Sequence, residues 1–350
     1  MARFFSCTLL TTCVLLCLLF VACGKTADIE SLDVEPTPVF VHPKDGVFVL
    51  NTPVEICFER LSPNSATARY VVAMLRKMHL KPAPVAGAVP DALTFSLYDT
   101  PNEELGDEGF LVDICPDGIT ISANTETGLF YACQTLFRLL PRDVMRRRYR
   151  QINLPCGIIL DYPDTAWREA HLPTEAFHSV KHMKSMLDSL ASMRVNRLIW
   201  HLCDSALWLV ESVRYPQLDA LLSTSEVGTI VSYAAARHID IIPSVDNPQC
   251  CRSVVSAFPS LKCDGSSVPR LCLGNDTSLQ VVCNLLDEMI PLFTSDYFFV
   301  TGPDADFDIA CLPSRRRMQQ LRLSNSAQLN GWFHQQLKQS VQLRARRTRP

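Results

Sequence analysis

From residue 156 onward, short apolar runs alternate strictly with amphipathic stretches, and this rhythm restricts the chain more than any other feature. Gly157–Asp161, Arg197–Leu202, Ile239–Pro243 and Tyr297–Val300 read as strands. Between them, Ser179–Met193, Glu226–Arg237 and Ser278–Phe293 carry apolar residues at helical spacing. In the first of these stretches Met183, Met186, Leu187, Leu190 and Met193 form a core-facing stripe. Strand–helix alternation calls for parallel strands joined by crossover helices, in a (β/α)8 barrel or an open doubly wound sheet. No glycine-rich phosphate loop follows the first strand, which favours the barrel. A fourth helix, Ala327–Leu343, then runs into a basic end. The expected fold class is therefore α/β: a partial (β/α)8 TIM-type barrel of about four βα units. Half a barrel exposes two sheet edges, so either the sequence is a truncated product, the reading preferred here, or self-association covers the open edges.

A different pattern precedes the barrel. Val54–Phe58, Leu93–Leu97, Gly109–Ile114 and Ile119–Ala123 are strand-like, Ser65–Met78 and about Glu126–Leu140 are helical, and Pro116-Asp117-Gly118 signals a hairpin turn. These predict a small α+β domain at 46–142, after an extended lead-in at 25–45 that holds Pro36, Pro38 and Pro43. A basic linker (143–155) separates that domain from the barrel (156–343), and a basic tail (344–350) ends the chain. Residues 1–24 combine Arg3, an apolar run from Cys7 to Ala22, and small or polar punctuation at Cys23-Gly24-Lys25. The run is shorter than the roughly 20 residues a membrane span needs, so a cleaved signal peptide is expected ahead of a signal anchor. Val21-Ala22-Cys23 also resembles a lipoprotein cleavage box. All these readings direct the chain to the secretory pathway, as a secreted, lysosomal or N-terminally membrane-anchored protein.

Composition narrows the partners. With 47% hydrophobic residues in 350, the chain can bury sizeable cores, and a net charge of −3 gives no global attraction to nucleic acid. The basic runs Arg146–Arg150 and Arg344–Arg349 read as solvated surface. Of 15 cysteines, Cys7, Cys13, Cys17 and Cys23 belong to the leader, so an odd number follows it. There is no Cys-x-x-Cys pair, and Cys250-Cys251 has no histidine cluster beside it, so no structural zinc or other metal is expected. Asn275-Asp276-Thr277 is a glycosylation sequon.

Reactive residues in parallel barrels sit at the carboxyl ends of strands. Those ends read Asp161; Trp200-His201-Leu202-Cys203-Asp204; Pro243-Ser244-Val245-Asp246-Asn247-Pro248; and Thr301-Gly302-Pro303-Asp304-Ala305-Asp306. Carboxylates delivered to one face by successive strands suit the protonation of a leaving group and the stabilisation of an oxocarbenium ion.

The same stretches carry a specific resemblance. Cys156-Gly157-Ile158-Ile159-Leu160-Asp161, Arg194-Val195-Asn196-Arg197-Leu198-Ile199-Trp200-His201-Leu202-Cys203-Asp204, Tyr215-Pro216-Gln217-Leu218 and Ile242-Pro243-Ser244-Val245-Asp246-Asn247-Pro248 are similar to the opening motifs of glycoside hydrolase family 20, the β-N-acetylhexosaminidases. Gly128–Leu136 resembles the last helix of that family's small N-terminal domain. The resemblance implies hydrolysis of terminal N-acetylglucosamine or N-acetylgalactosamine from glycans without a cofactor. The sugar's own acetamide is the nucleophile and a carboxylic acid protonates the glycosidic oxygen, an exception to the two-carboxylate scheme. It implies Asp304 as the acid, with Asp204, Arg168, His201 and Asp246 as sugar contacts. In an alternative register Asp306 or Asp308 supplies the acid, and the arginine of the first strand falls on Asp164 unless a short insertion brings Arg168 into place. Several positions depart from the family pattern. Pro303 replaces the aspartate that orients the acetamide, Asp304 is one methylene shorter than the family's glutamate, and Ser244 and Cys250 replace a glutamate and a histidine. The resemblance therefore also admits an inactive glycan-binding or decayed homologue.

Overall fold

The computed structural model describes residues 29–31, 34–87, 89–266, 268–302, 311–344 and 346–348. The leader expected at 1–24, and the expected acid Asp304 with its neighbours Pro303, Asp306 and Asp308, lie outside the described residues. The chain divides into two compact units between Asp164 and Thr165. Among the described residues no helix is long and apolar enough to cross a membrane.

The first unit contains β1 (Phe40–Asn51), β2 (Val54–Glu59), α1 (Ala66–Lys77), β3 (Pro82–Pro84), β4 (Leu93–Leu97), β5 (Phe110–Cys115), β6 (Gly118–Ala123), α2 (Glu126–Leu139) and β7 (Gln151–Asp161). Its seven-stranded sheet has the order β1-β7-β5-β6-β4-β2-β3. The expected hairpin is present, with Cys115 paired to Gly118 across the Pro116-Asp117 turn. Side chains fix where the helices begin. Ser65 accepts from the Ala68 N–H, and Thr125 accepts from the N–H groups of Thr127 and Gly128, in each case satisfying amides that a first turn leaves without partners. Phe48, Ile56, Phe95, Val112, Ile121 and Phe130 fill the core and are fully buried.

Two boundaries differ from the sequence expectation. Gly157–Asp161 is a strand, but it is the end of β7, which pairs antiparallel with β1 and β5 and belongs to the first unit rather than the barrel. Residues 151–155, expected in the basic linker, begin that strand: Ile152 and Leu154 turn inward while Gln151 and Asn153 face out. The lead-in becomes strand β1 from Phe40, and Pro43 is tolerated because β1 is an edge strand with a register shift between Pro43 and Val47.

The second unit contains β8 (Glu169–Leu172), α3 (Val180–Ser192), β9 (Arg197–Cys203), α4 (Thr224–Ala235), β10 (Asp240–Asp246), α5 (Arg252–Ala257), α6 (Asp276–Met289), β11 (Phe299–Thr301), α7 (Leu312–Leu321) and α8 (Ser326–Gln342). Its four strands are parallel, in the order β11-β10-β9-β8, and do not close into a barrel among the described residues. The expected strand–helix rhythm is thus observed, with β8 as the first strand in place of Gly157–Asp161. Ser223 and Glu226 form a reciprocal capping box at the start of α4, and Asn325 caps α8 through the Gln328 N–H. Alternation along the strands sorts the two faces. Ile199, Ile242 and Phe299 cluster on one face, and Leu198, Trp200, Leu202, Ile241 and Val245 alternate onto the other.

Candidate active site at the strand tips

The face that carries Ile199, Ile242 and Phe299 becomes polar toward the carboxyl ends of its strands. In register, Glu169 and His171 of β8 lie beside Arg197 and Ile199 of β9, His201 lies beside Ser244 of β10, and Asp246 lies beside Thr301 of β11. Those side chains join into one chain of hydrogen bonds. Trp167 Nε1 donates to Glu169 Oε2 at 2.6 Å, and Glu169 Oε1 is 3.2 Å from His171 Nε2. His171 Nδ1 is 3.1 Å from His201 Nε2, and His201 Nδ1 is bonded to Asp246 Oδ2. On its other oxygen Asp246 accepts from Ser244 Oγ at 2.9 Å and from Thr301 Oγ1. The chain crosses all four strands diagonally, from the amino end of β8 to the carboxyl ends of β9, β10 and β11.

His201 and Asp246 keep 23% and 24% of their side-chain surface exposed, so the pair is sheltered but reachable. Burial by itself would raise the Asp246 carboxyl, but hydrogen bonds from His201, Thr301 and Ser244 outweigh it and hold the group below the ordinary carboxylate value. Thr174 Oγ1 donates to the His201 carbonyl at 3.0 Å and fixes the backbone of the β9 tip. At the β11 tip the backbone has no room for a side chain. A Cβ added at Gly302 would lie 2.4 Å from the His334 ring and 2.6 Å from Asn247 Oδ1. Only glycine allows that approach.

Of the sugar contacts read from sequence, His201 and Asp246 are bonded to each other at the tips of β9 and β10, and Asp204 stands one residue past β9. Asp204 Oδ1 closes its own turn by accepting from the Ala206 and Leu207 N–H groups at 2.7 and 2.8 Å. The Cys203 thiol, pushed well up by burial, feels the charges of both Asp204 and Asp246. Arg168 does not join them. It precedes β8, at the amino end of the sheet, where its Nε donates to the Arg194 carbonyl at 2.6 Å and its Nη1 to the Thr165 carbonyl at 2.7 Å. Its side chain therefore ties the entry of β8 to the loop before β9, opposite to where a sugar contact is needed. Asp161 also departs, because it is a buried residue of the first unit that accepts from the Val39 N–H at 3.2 Å.

Sequence reasoning missed Glu169 and His171. The available signal was the alternation Trp167-Arg168-Glu169-Ala170-His171-Leu172, which places Glu169 and His171 on one side of a short strand. At the amino end of the same face a cavity of about 660 Å3 is lined by Trp167, Glu169, Tyr297, Phe299, Arg346 and Arg347. Chemistry in parallel barrels belongs to the opposite end, so the tips are the better candidate.

Comparison with known proteins agrees with this architecture. Residues 166–349 match the catalytic domain of glycosyl hydrolase family 20, and residues 31–162 match domain 2 of that family. The chain belongs to glycosyl hydrolase family 20. Among similar proteins, a β-hexosaminidase of Porphyromonas gingivalis is 26% identical over 91% of this chain and 45% of its own length. β-Hexosaminidase subunit A2 of Dictyostelium discoideum is 30% identical over 59% of this chain and 40% of its own. The chain spans less than half the length of these curated relatives. Among solved family 20 structures, a β-N-acetylhexosaminidase from Bacteroides fragilis superposes with a TM-score of 0.77 at 25% identity, covering 90% of this chain and 65% of that one. A family 20 exo-β-N-acetylglucosaminidase from Vibrio harveyi, in complex with N-acetylglucosamine, shares the fold with a TM-score of 0.79 at 21% identity, covering 89% of this chain and 53% of that one.

Proposed function

We propose that this chain acts on glycans that end in N-acetylhexosamine, as a glycosidase of the β-N-acetylhexosaminidase type, and that the sugar is received over the tips of β9, β10 and β11. The observation that carries this reading is the His201–Asp246 pair at the tips of β9 and β10, with Asp204 one residue past β9, in a chain whose family relatives are named β-hexosaminidases. In this reading the His201–Asp246 pair offers a sheltered, charge-assisted hydrogen-bonding edge to sugar hydroxyls. Glu169, Ser244 and Thr301 hold that edge in orientation through the bonds described above. The acetamide oxygen of the sugar attacks its own anomeric carbon while Asp304, two residues past Gly302, gives a proton to the leaving oxygen.

Pro303 favours a second reading. It stands where the family orients the acetamide and offers no N–H, and the shorter Asp304 sets its proton back by roughly 1.5 Å, a displacement that can cost about a hundredfold in rate. The second reading is a protein that binds the sugar without cleaving it. Purified chain incubated with a chromogenic N-acetylglucosaminide separates the two. Release that is lost in Asp304→Ala supports hydrolysis, and saturable N-acetylglucosamine binding without release supports recognition alone. Neither release nor binding would contradict both. We further propose that the apolar leader directs the chain into the secretory route, where Asn275 would be open to glycosylation.

A further inference from the structure

Away from the strand tips, three cysteines that are distant in sequence meet. The sulfurs of Cys263, Cys272 and Cys311 all lie within 4.8 Å of one another; Cys263 and Cys272 are buried and Cys311 is half-buried. The two sulfurs of Cys272 and Cys311 are 3.4 Å apart, well beyond the roughly 2.05 Å of a disulfide bond. Sulfurs that share one zinc-type ion with bonds of about 2.3 Å stand about 3.8 Å apart, which is the spacing this group approaches.

The surrounding backbone is built to hold that spacing. Lys262 and Leu271 form an antiparallel bridge, Cys263 N donates to the Arg270 carbonyl at 2.9 Å, and Cys272 N donates to the Leu261 carbonyl at 2.7 Å. These bonds set Cys263 beside Cys272. Cys311, just before α7, is brought against them by Gly274, where an added Cβ would fall 2.3 Å from the Pro313 carbonyl oxygen. Ser314, on the first turn of α7, stands between the sulfurs, with its Oγ 3.0 Å from Cys311 Sγ and 3.4 Å from Cys272 Sγ. The Gly274 N–H donates to the same oxygen at 3.3 Å.

We propose that Cys263, Cys272 and Cys311 form a three-thiolate site for a zinc-type divalent cation, with Ser314 orienting the sulfurs. Thiolate is the ligand form, so binding breaks up to three S–H bonds, forms as many metal–sulfur bonds and passes the protons to solvent. An ion there would fasten α7 to the loop that precedes α6. The same loop is hydrogen-bonded to the β10 tip, because Leu271 N donates to the Gln249 carbonyl at 2.8 Å. The site would thus brace the segment that follows β10.

The test is a titration of the full chain, fully reduced with a phosphine and free of metal, with Cd2+ as the spectroscopic probe and Zn2+ as competitor. One equivalent of Cd2+ should give an ultraviolet thiolate-to-metal band that Zn2+ displaces, with release of protons. Cys263→Ser, Cys272→Ser and Cys311→Ser should each remove the band, Ser314→Ala should weaken binding by about tenfold to a hundredfold, and Cys283→Ser should leave it intact. Mass-spectrometric alkylation of the unaltered chain gives a readout that no variant's folding can confuse, since Cd2+ should protect these three thiols and leave Cys283 reactive. Three results would each overturn the site: no band, protection that spares the trio, or metal-free protein isolated with two of the three joined in a disulfide.

Discussion

The two sheets of this molecule differ in what they do with their interiors. The seven-stranded sheet of the first unit is filled by Phe48, Ile56, Phe95, Val112 and Ile121, and the ion pairs Lys44–Asp113 and Arg60–Asp99 lie in partly or fully exposed positions. The four-stranded sheet of the second unit instead runs a polar chain from Glu169 to Thr301 across one face. Sheltering such groups costs stability unless each finds a partner, and this chain of partners supplies one to each member as it runs from the amino end of β8 to the carboxyl ends of β9, β10 and β11. The first sheet is filled by apolar packing, whereas the second gives one face to linked polar side chains.

Substitutions can break or sharpen that contrast. The largest expected effect is on packing. Phe95→Ala should lower the stability of the first unit by about 4 kcal/mol, seen as a shift in its urea midpoint, and leave sugar binding by the folded protein unchanged. Gly302→Ala comes next, because its new methyl would be driven into the His334 ring. A loss of about 2 kcal/mol in the second unit is expected, together with weakened sugar binding, because the β11 tip must move.

The acid limb of stability gives a third contrast. The Asp246 carboxyl is held below its ordinary value of 3.8, so its contribution is complete above that value and disappears as pH falls through the lower folded value. Urea midpoints of the second unit measured from about pH 6 to about pH 2 should therefore fall more steeply for the unaltered chain than for Asp246→Asn. An identical slope would mean that His201, Thr301 and Ser244 do not stabilise the charged form. The smallest effect belongs to the first unit. Lys44→Ala removes a pair whose side chains are 32% and 34% exposed, and should lower stability by less than about 1 kcal/mol, read from the urea midpoint.

Much of this contrast is legible in the residues, for reasons particular to each element. The long helices α3, α4, α6 and α8 repeat apolar positions over three or more turns, and β9 and β10 are apolar runs that end in His201, Asp204 and Asp246, so both the rhythm and those tips can be read directly. β8 escapes because it is only four residues, Glu169–Leu172, half of them polar. Gly157–Asp161 is identified as a strand but given to the wrong sheet, because an apolar run reports burial and not partners. Misplacing that strand carried Arg168 to the wrong end of the sheet. The thiol trio is invisible for another reason. Cys272 and Cys311 are 39 residues apart, and a reading that rests on short ligand spacing does not detect thiols brought together by tertiary structure.

The claim that the strand tips of the second unit receive an N-acetylhexosamine can be tested through its histidines. N-acetylglucosamine titrated into protein labelled with 15N in its histidine rings should shift the signals of His201 and His171 together and saturably, while those of His42 and His79 in the first unit stay in place. Signals of His201 and His171 that do not move, or that move no more than those of His42 and His79, would contradict the account.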